Sequence, residues 1–202
     1  LELQALLDQD PGDPQLESLQ ARLEGVIRLA PQIAPEGKAA RAAILGLKGY
    51  LGLPLDQRLA HNGLRYACEL DGDERRYDKF LALLLAEVPS LAHEDVVTPT
   101  MTLLEYKHFV ALHQIYDAKY PMAVATLGEI LALEPDDVLA LKRLGSAYYS
   151  LGRMAEAKRA WTAALILSPR DKTLRQFREK ASRAQTPAAP KARTYTNSAE
   201  TP

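Results

Sequence analysis

The residues of this chain that could carry out chemistry are few and scattered. Four histidines are present: His61, His93, His108 and His113. A helix binds one zinc ion through histidines four residues apart, whereas His108 and His113 are five apart. His93 precedes Glu94 and Asp95, and such a polar group is typical of a turn or a helix start. The histidines therefore predict no metal site.

Two other segments contain some of the residues that bind calcium or phosphate. Segment 8–17, DQDPGDPQLE, has three aspartates, but its glycine is misplaced and Leu19 stands where a calcium loop closes with a carboxylate. Segment 46–52, GLKGYLG, follows no predicted strand, so close helix packing explains its glycines better than a phosphate-binding loop. No G-x-S-x-G or H-E-x-x-H sequence occurs. We therefore expect a protein that is not an enzyme and that binds neither a metal nor a cofactor.

The composition is that of an ordinary helical domain. Of the 202 residues, 47% are hydrophobic, 25% are charged and only 6% are aromatic, while Ala and Leu are abundant. The net charge of −1 creates no overall field that would recruit nucleic acid or an anionic membrane. The longest apolar run, FLALLLA at 80–86, is far below the ~20 residues that span a bilayer, so it predicts a buried helix.

The single cysteine and the two ends of the chain say little about its compartment. Cys68 excludes an internal disulfide and a zinc site built from cysteines, and we expect it to be a small buried side chain. The chain begins at Leu1, inside a predicted helix, so we interpret it as a fragment or a processed product. The Pro, Thr and Ala residues of the last 18 positions favour a bacterial periplasmic or envelope protein, with the cytoplasm as the alternative.

Apolar spacing and proline positions predict helices throughout the chain and no useful strand. After a first short helix, the predicted helices cover residues 15–29, 36–51, 55–70, 73–88, 99–117, 121–133, 137–151, 154–167 and 171–184. Thr98 followed by Pro99 is a start signal for the helix at 99–117, and Asp136 or Asp137 starts the helix at 137–151. Residues 90–97 predict at most one helical turn.

The spacing of residues 138–171 is the most informative in the chain. The informative residues of this segment are Leu141, Leu144, Gly145, Tyr148, Ala157, Trp161 and Pro169. Gly145 and Ala157 are small enough for two helices to approach closely, and Trp161 is the bulky side chain that faces them. This segment resembles the tetratricopeptide repeat (TPR), with Leu141 in place of the first aromatic residue of its pattern.

A degenerate copy of the repeat lies immediately upstream, at 104–137. A shift of ~34 residues places Ala111, Ala123, Leu127 and Pro135 at the pattern positions. Lys107 replaces the first aromatic residue of the pattern in this copy. A further shift upstream puts Pro89 in the middle of a helix, so the resemblance ends there.

The resemblance implies an all-α fold, an α-solenoid of antiparallel helical hairpins wound as a right-handed superhelix. We expect three parts: helical hairpins at 1–98 that are diverged repeats or a helical cap, TPR-like repeats with a capping helix at 99–184, and a disordered tail or linker at 185–202. The helix at 171–184 has one apolar face and is otherwise basic. We interpret it as the cap of the solenoid, with a nucleic-acid-binding helix as the alternative.

The resemblance also implies a binding groove, because the first helix of each repeat in this family lines a concave surface for a partner peptide or helix. Carried over to this chain, the predicted partner-binding residues are Glu105, His108, Phe109, Leu112, Lys142, Arg143, Ser146 and Tyr149. Some family members grip a terminal carboxylate with Lys, Arg and Asn, but the Asn residues are absent here. As an alternative, Lys142 and Arg143 are only the solvated side of an amphipathic helix.

Three functions are compatible with this sequence. The first is an adaptor or scaffold that binds a protein or peptide partner, within a larger bacterial assembly. The second is a structural component that self-associates through its repeat faces. The third is a regulatory helical domain of a longer enzyme. We expect no nucleic-acid partner and no transmembrane segment.

Overall fold

The computed structural model describes residues 2–33, 36–95 and 100–184. Over these residues the chain forms ten α-helices and no strand. The helices are α1 Glu2–Gln9, α2 Pro14–Leu29, α3 Lys38–Leu51, α4 Gln57–Asp71, α5 Asp78–Glu87, α6 Leu103–Tyr116, α7 Tyr120–Leu133, α8 Val138–Ser150, α9 Met154–Leu167 and α10 Lys172–Ala184. Sequence neighbours pack against each other as helical pairs. The predicted all-α, TPR-like solenoid is therefore confirmed.

Two helix starts differ from the prediction. Helix α6 begins at Leu103 and not at Pro99, because Thr102 and Glu105 form a reciprocal capping box. Thr98 and Pro99 themselves lie outside the described residues. Helix α5 begins at Asp78 rather than at 73, because residues 72–74 form a 3₁₀ turn and Arg75 has a left-handed φ of 54°.

The other predicted start is confirmed. Asp137 caps α8 by accepting a hydrogen bond from the backbone N–H of Ala140, with an N···O distance of 2.7 Å.

Helices α3 and α4 pack at backbone distance because of glycines on both. A Cβ atom built on Gly46 would lie 2.4 Å from the Leu64 nitrogen, and one on Gly63 would lie 2.4 Å from the Gly46 nitrogen. The predicted role of the glycines in close helix packing is therefore correct. Tyr77, Phe80, Leu84, Leu91 and Leu103 belong to the same buried cluster as this pair, so the core of the first half reaches the start of α6.

The second half stacks two helical pairs and a final helix. Trp161 of α9 lies against Gly145 of α8, and its indole Nε1 donates a 3.1 Å hydrogen bond to the Lys142 carbonyl oxygen. Helix α10 covers the exposed side of α9: Leu174 and Ala181 are fully buried, and the Phe177 ring lies 5.3 Å from Trp161. Such a cap is what the last repeat of a solenoid needs.

Some predictions are outside the reach of the structure. The boundary between parts 1–98 and 99–184 stays a prediction, and the tail at 185–202 lies outside the described residues. Among the described helices, none is both long and apolar enough to cross a membrane. Cys68 is half-buried, and burial, followed by the nearby Asp78, raises the pKa of its thiol to about 12.

Candidate partner-binding surface

The eight predicted partner-binding residues lie on α6 and α8, which run beside each other. We call these residues (Glu105, His108, Phe109, Leu112, Lys142, Arg143, Ser146 and Tyr149) the α6–α8 face. Five of them already use their polar groups within the protein: Glu105, His108, Lys142, Arg143 and Ser146. Glu105 completes the capping box of α6, and the Ser146 hydroxyl donates to the Lys142 carbonyl oxygen over 3.2 Å. Lys142 is held by a carboxylate.

The same contact occurs twice in the stack, 34 residues apart. In the first repeat, His108 Nε2 lies 2.8 Å from Asp137 Oδ2. In the second, Lys142 Nζ donates to Asp171 Oδ2 over 3.1 Å. Both aspartates also cap the following helix, since Asp137 accepts from Ala140 and Asp171 accepts from Leu174. One side chain per repeat therefore fixes the next helix start and binds the preceding first helix.

Arg143 links the two repeats through uncharged acceptors of His108, so no described carboxylate offsets its charge. Its guanidinium donates to the His108 carbonyl oxygen over 3.0 Å and contacts His108 Nδ1 at 3.2 Å. The tautomer with hydrogen on Nε2 satisfies both this contact and the one to Asp137. No ion pair of Arg143 with a carboxylate occurs among the described residues. Burial is the main reason why the pKa of Arg143 is lowered, and the Asp137 carboxylate opposes the effect.

The apolar part of the face lies on α6. Phe109 is 51% exposed and packs against His113, with ring centroids 4.1 Å apart and ring planes tilted by 44°. Leu112 is partly buried, and Tyr116 is 76% exposed. Phe109, Leu112 and Tyr116 share one helical side because they are spaced at i, i+3 and i+7. The sequence prediction missed Tyr116, although this spacing could have identified it.

Tyr149 joins the face to the capping helix. Its ring lies 5.9 Å from the Trp161 ring, and Lys180 Nζ of α10 lies 5.5 Å from its centroid. Lys180 was also missed as a residue of this surface, because no repeat pattern marks the capping helix. Tyr149 and Lys180 therefore lie where the α6–α8 face meets α10.

Charge is distributed very unevenly along the chain, which the overall net charge of −1 conceals. Residues 1–137 contain 12 Lys and Arg against 22 Asp and Glu, whereas residues 138–184 contain 11 against 3. Within the described part of the second segment, only Lys142 and Arg153 form ion pairs, with Asp171 and Glu156. The last repeat and its cap are thus a basic end on an otherwise acidic chain.

In the described part of the chain, no group of three or more His, Cys, Asp or Glu side chains is arranged to hold a metal ion.

The comparison with protein families matches residues 138–171 to the tetratricopeptide repeat. The comparison with curated proteins gives no match. The family match covers the α8–α9 pair and the turn that follows it, which is the segment with the closest sequence pattern.

Proposed function

Because residues 138–171 match the tetratricopeptide repeat, we propose that this chain is a non-enzymatic scaffold or adaptor that binds a partner peptide or helix along the α6–α8 face. The observation that supports this most is the half-exposed Phe109 beside the partly buried Arg143, on two first helices in the same register. A large aromatic side chain left in solvent next to a partly desolvated cation is typical of a binding hot spot.

The roles of the residues follow from their surroundings. Phe109, Leu112 and Tyr149 would be the apolar anchors, because each exposes ring or aliphatic surface that a partner can cover. Arg143 would supply a charge-assisted hydrogen bond. The remaining four residues, Glu105, His108, Lys142 and Ser146, would form a polar rim whose groups are already bonded within the protein.

Affinity capture with the full chain tests this proposal. Phe109→Ala and Arg143→Glu should each abolish the recovery of partners that the unchanged chain captures. Lys158→Glu is the matched control, because Lys158 is an exposed cation on α9, away from the α6–α8 face. Circular dichroism melting should first show that each variant is folded. Unchanged capture by both face variants would reject the α6–α8 face as the binding site.

Self-association is the second candidate function, and one observation favours it. Ile166 of α9 is 76% exposed, and Leu167 beside it is 46% exposed, so α9 has apolar surface that another copy could cover. Sedimentation velocity at several concentrations decides the matter. A strict monomer excludes self-association, whereas a mass that rises with concentration and falls back in Ile166→Glu supports it. We also propose that the protein is one component of a larger bacterial assembly. Affinity capture should then recover more than one partner.

A further inference from the structure

The outer side of α9 is open, although the equivalent side of α7 is covered. Helix α4 packs over this side of α7, and the cleft between them is lined on α7 by Ala125, Gly128, Glu129 and Ala132. The same positions of the next repeat, 34 residues later, are Arg159, Thr162, Ala163 and Ile166. In the described part of the chain, the depression that they line is formed by α9 alone. The first repeat thus holds the first half of the chain with a side that the second repeat leaves open.

This open side of α9 combines aliphatic side chains with unpaired cations. Ile166 is 76% exposed and Leu167 is 46% exposed. Lys158 and Arg159 are exposed, and neither forms an ion pair with a described carboxylate. They lie eight and seven residues before Ile166, which is about 11–12 Å along the helix axis. An occupant of this side should therefore offer an apolar recess with acidic residues nearby.

The first half of the chain contains such a recess. A cavity of about 580 Å³, which we call the α2 cavity, lies where α2 meets the turn between α3 and α4. Its aliphatic lining consists of Leu16, Leu19, Leu51, Leu53, Pro54 and Leu55. Leu55 is 90% exposed, more than any other large apolar side chain of the described residues. Pockets of ~300–1,000 Å³ enclose drug-sized molecules, so the α2 cavity has room for two aliphatic side chains.

The charge near the α2 cavity is negative. Residues 1–21 contain five Asp and Glu and no Lys or Arg. Asp13 lines the cavity, and the exposed Asp10 and Glu17 are three and four residues from it in the chain. Arg22, a cation in the lining, is buried and paired with Glu87 over 2.8 Å. The lining part of α2, residues 14–22, is about 12 Å long, which matches the spacing from Lys158 to Ile166.

We infer that Ile166 and Leu167 of one copy insert into the α2 cavity of a second copy, with Lys158 and Arg159 against its acidic residues 10–17. Apolar burial would supply the affinity, and the opposite charges would fix the orientation. The two surfaces differ, so the contact is head-to-tail and produces either rings or open chains of copies. This inference rests on the second candidate function, self-association, and names the surface that α9 meets.

Sedimentation velocity of the purified full chain is the first test. The average mass should rise with protein concentration and fall when the NaCl concentration is raised from about 0.05 M to about 0.5 M. A strict monomer would overturn both the inference and the second candidate function, and it would leave the α6–α8 face untouched. A mass that salt does not lower would overturn the inference alone.

A mixing experiment decides whether two different surfaces meet. Leu55→Glu changes the α2 cavity and Ile166→Glu changes α9, both at exposed positions that leave the core intact. Each variant alone should associate at least about tenfold more weakly than the unchanged chain. An equimolar mixture should form a dimer, because each variant supplies the surface that the other lacks. Met122→Glu, at a 55% exposed position of α7, is the matched control and should associate like the unchanged chain.

Two results of this experiment would overturn the inference and leave self-association standing. The first is full association of Leu55→Glu while Ile166→Glu stays monomeric, because α9 would then meet a surface other than the α2 cavity. The second is an equimolar mixture that remains monomeric although the unchanged chain associates.

An exchange of charges tests the orientation of the two copies. Lys158→Glu combined with Arg159→Glu should weaken association by about tenfold. Adding Asp10→Lys and Glu17→Lys to the same chain should restore most of the loss, because the two surfaces again carry opposite charges. Absence of any recovery would overturn the inference, since the charges would then not face each other.

Discussion

The two neighbouring helical pairs of the second half, α6–α7 and α8–α9, form the same architecture from very different side chains. Residue 145 of the second pair is Gly and faces Trp161, whereas the matching residues of the first pair are Ala111 and Leu127. Both combinations are buried. A small residue with a very large one, or two of moderate size, fill comparable space between two helices.

The same two pairs differ at the first position of the pattern, where Leu141 matches Lys107. Leu141 packs in the apolar cluster around Trp161. Lys107 is only 1% exposed and donates to Asp95 Oδ2 over 2.9 Å and to Glu129 Oε2 over 2.7 Å. Glu129 is also bound by Arg58 of α4. The first pair therefore departs from the pattern where its neighbour is not another repeat but the helices of the first half.

The comparison thus indicates what the repeat pattern records. The pattern describes side chains that contact other repeats, and it fades where one face of a repeat packs on something else. Variants that exchange residues between the two pairs test this explanation.

Replacing Lys107 by Leu, the residue of the second pair, should lower the free energy of unfolding by about 2–3 kcal/mol. The carboxylates of Asp95 and Glu129 are only 21% and 19% exposed, and they would lose their shared cation. Urea unfolding followed by circular dichroism measures the change. Lys119→Ala, which removes an exposed pair with Asp117, is the control and should cost under about 0.5 kcal/mol. A stable Lys107→Leu variant would contradict our explanation of the degenerate pattern.

Gly145→Ala should cost about 2 kcal/mol, because its Cβ would lie 2.3 Å from Trp161 Nε1. Adding Trp161→Leu recreates the Ala–Leu combination of the first pair, so the double variant should be more stable than the two single losses predict. We expect a coupling free energy of at least about 1 kcal/mol in a double-mutant cycle. Gly128→Ala in α7 is the control, since its Cβ would meet open space. Additive losses would show that the two contacts are not equivalent.

The turns between the paired helices differ at one position that needs a left-handed backbone. Gly152 has a φ of 74°, and the matching Ala118 has a φ of 57°. Ala118→Gly should raise the free energy of unfolding by about 0.5–1 kcal/mol, and Gly152→Ala should lower it by about 1 kcal/mol. Opposite signs in urea unfolding would support a common turn, and equal signs would contradict it.

Asp171→Asn should have the smallest effect, and this effect should depend on pH. The backbone N–H of Leu174 and then Lys142 hold the pKa of the Asp171 carboxyl below its usual value. The stability from this group is therefore present above the unfolded-state pKa of about 4 and disappears as the pH falls through the lower folded-state pKa. The difference in stability between the unchanged chain and Asp171→Asn should shrink over that range. A difference that stays constant down to pH 2.5 would contradict this.

Much of the fold could be predicted because the relevant signals are local. Proline positions, cap residues and apolar spacing place the helices near their observed bounds, except at the starts of α5 and α6. The start of α6 was wrong, because Thr98–Pro99 and Thr102 with Glu105 are competing start signals, and only the second forms a complete capping box. The predicted start of α5 was also wrong, because the chain turns before Arg76. The backbone N–H of Arg76 donates a hydrogen bond to the carboxylate of Asp71, five residues earlier.

The candidate site was predictable only in outline. The first-helix positions of a repeat follow from its register, so the sequence assigned all eight residues to two adjacent helices. It did not reveal which of their polar groups are already bonded. The Lys142–Asp171 and Arg143–His108 contacts join residues 29 and 35 positions apart, and such distances carry no periodic signal.

The order of residues is enough to predict the helical class and the repeat at 138–171, and it contains the concentration of positive charge after residue 137. Helix periodicity, the small–large pairing and charge can all be read along the chain. The burial of Lys107 between Asp95 and Glu129, and the position of Lys180 over Tyr149, become visible only in the folded chain. Both outcomes depend on which helices meet in space. A charged side chain is buried or exposed according to the partners that packing brings to it.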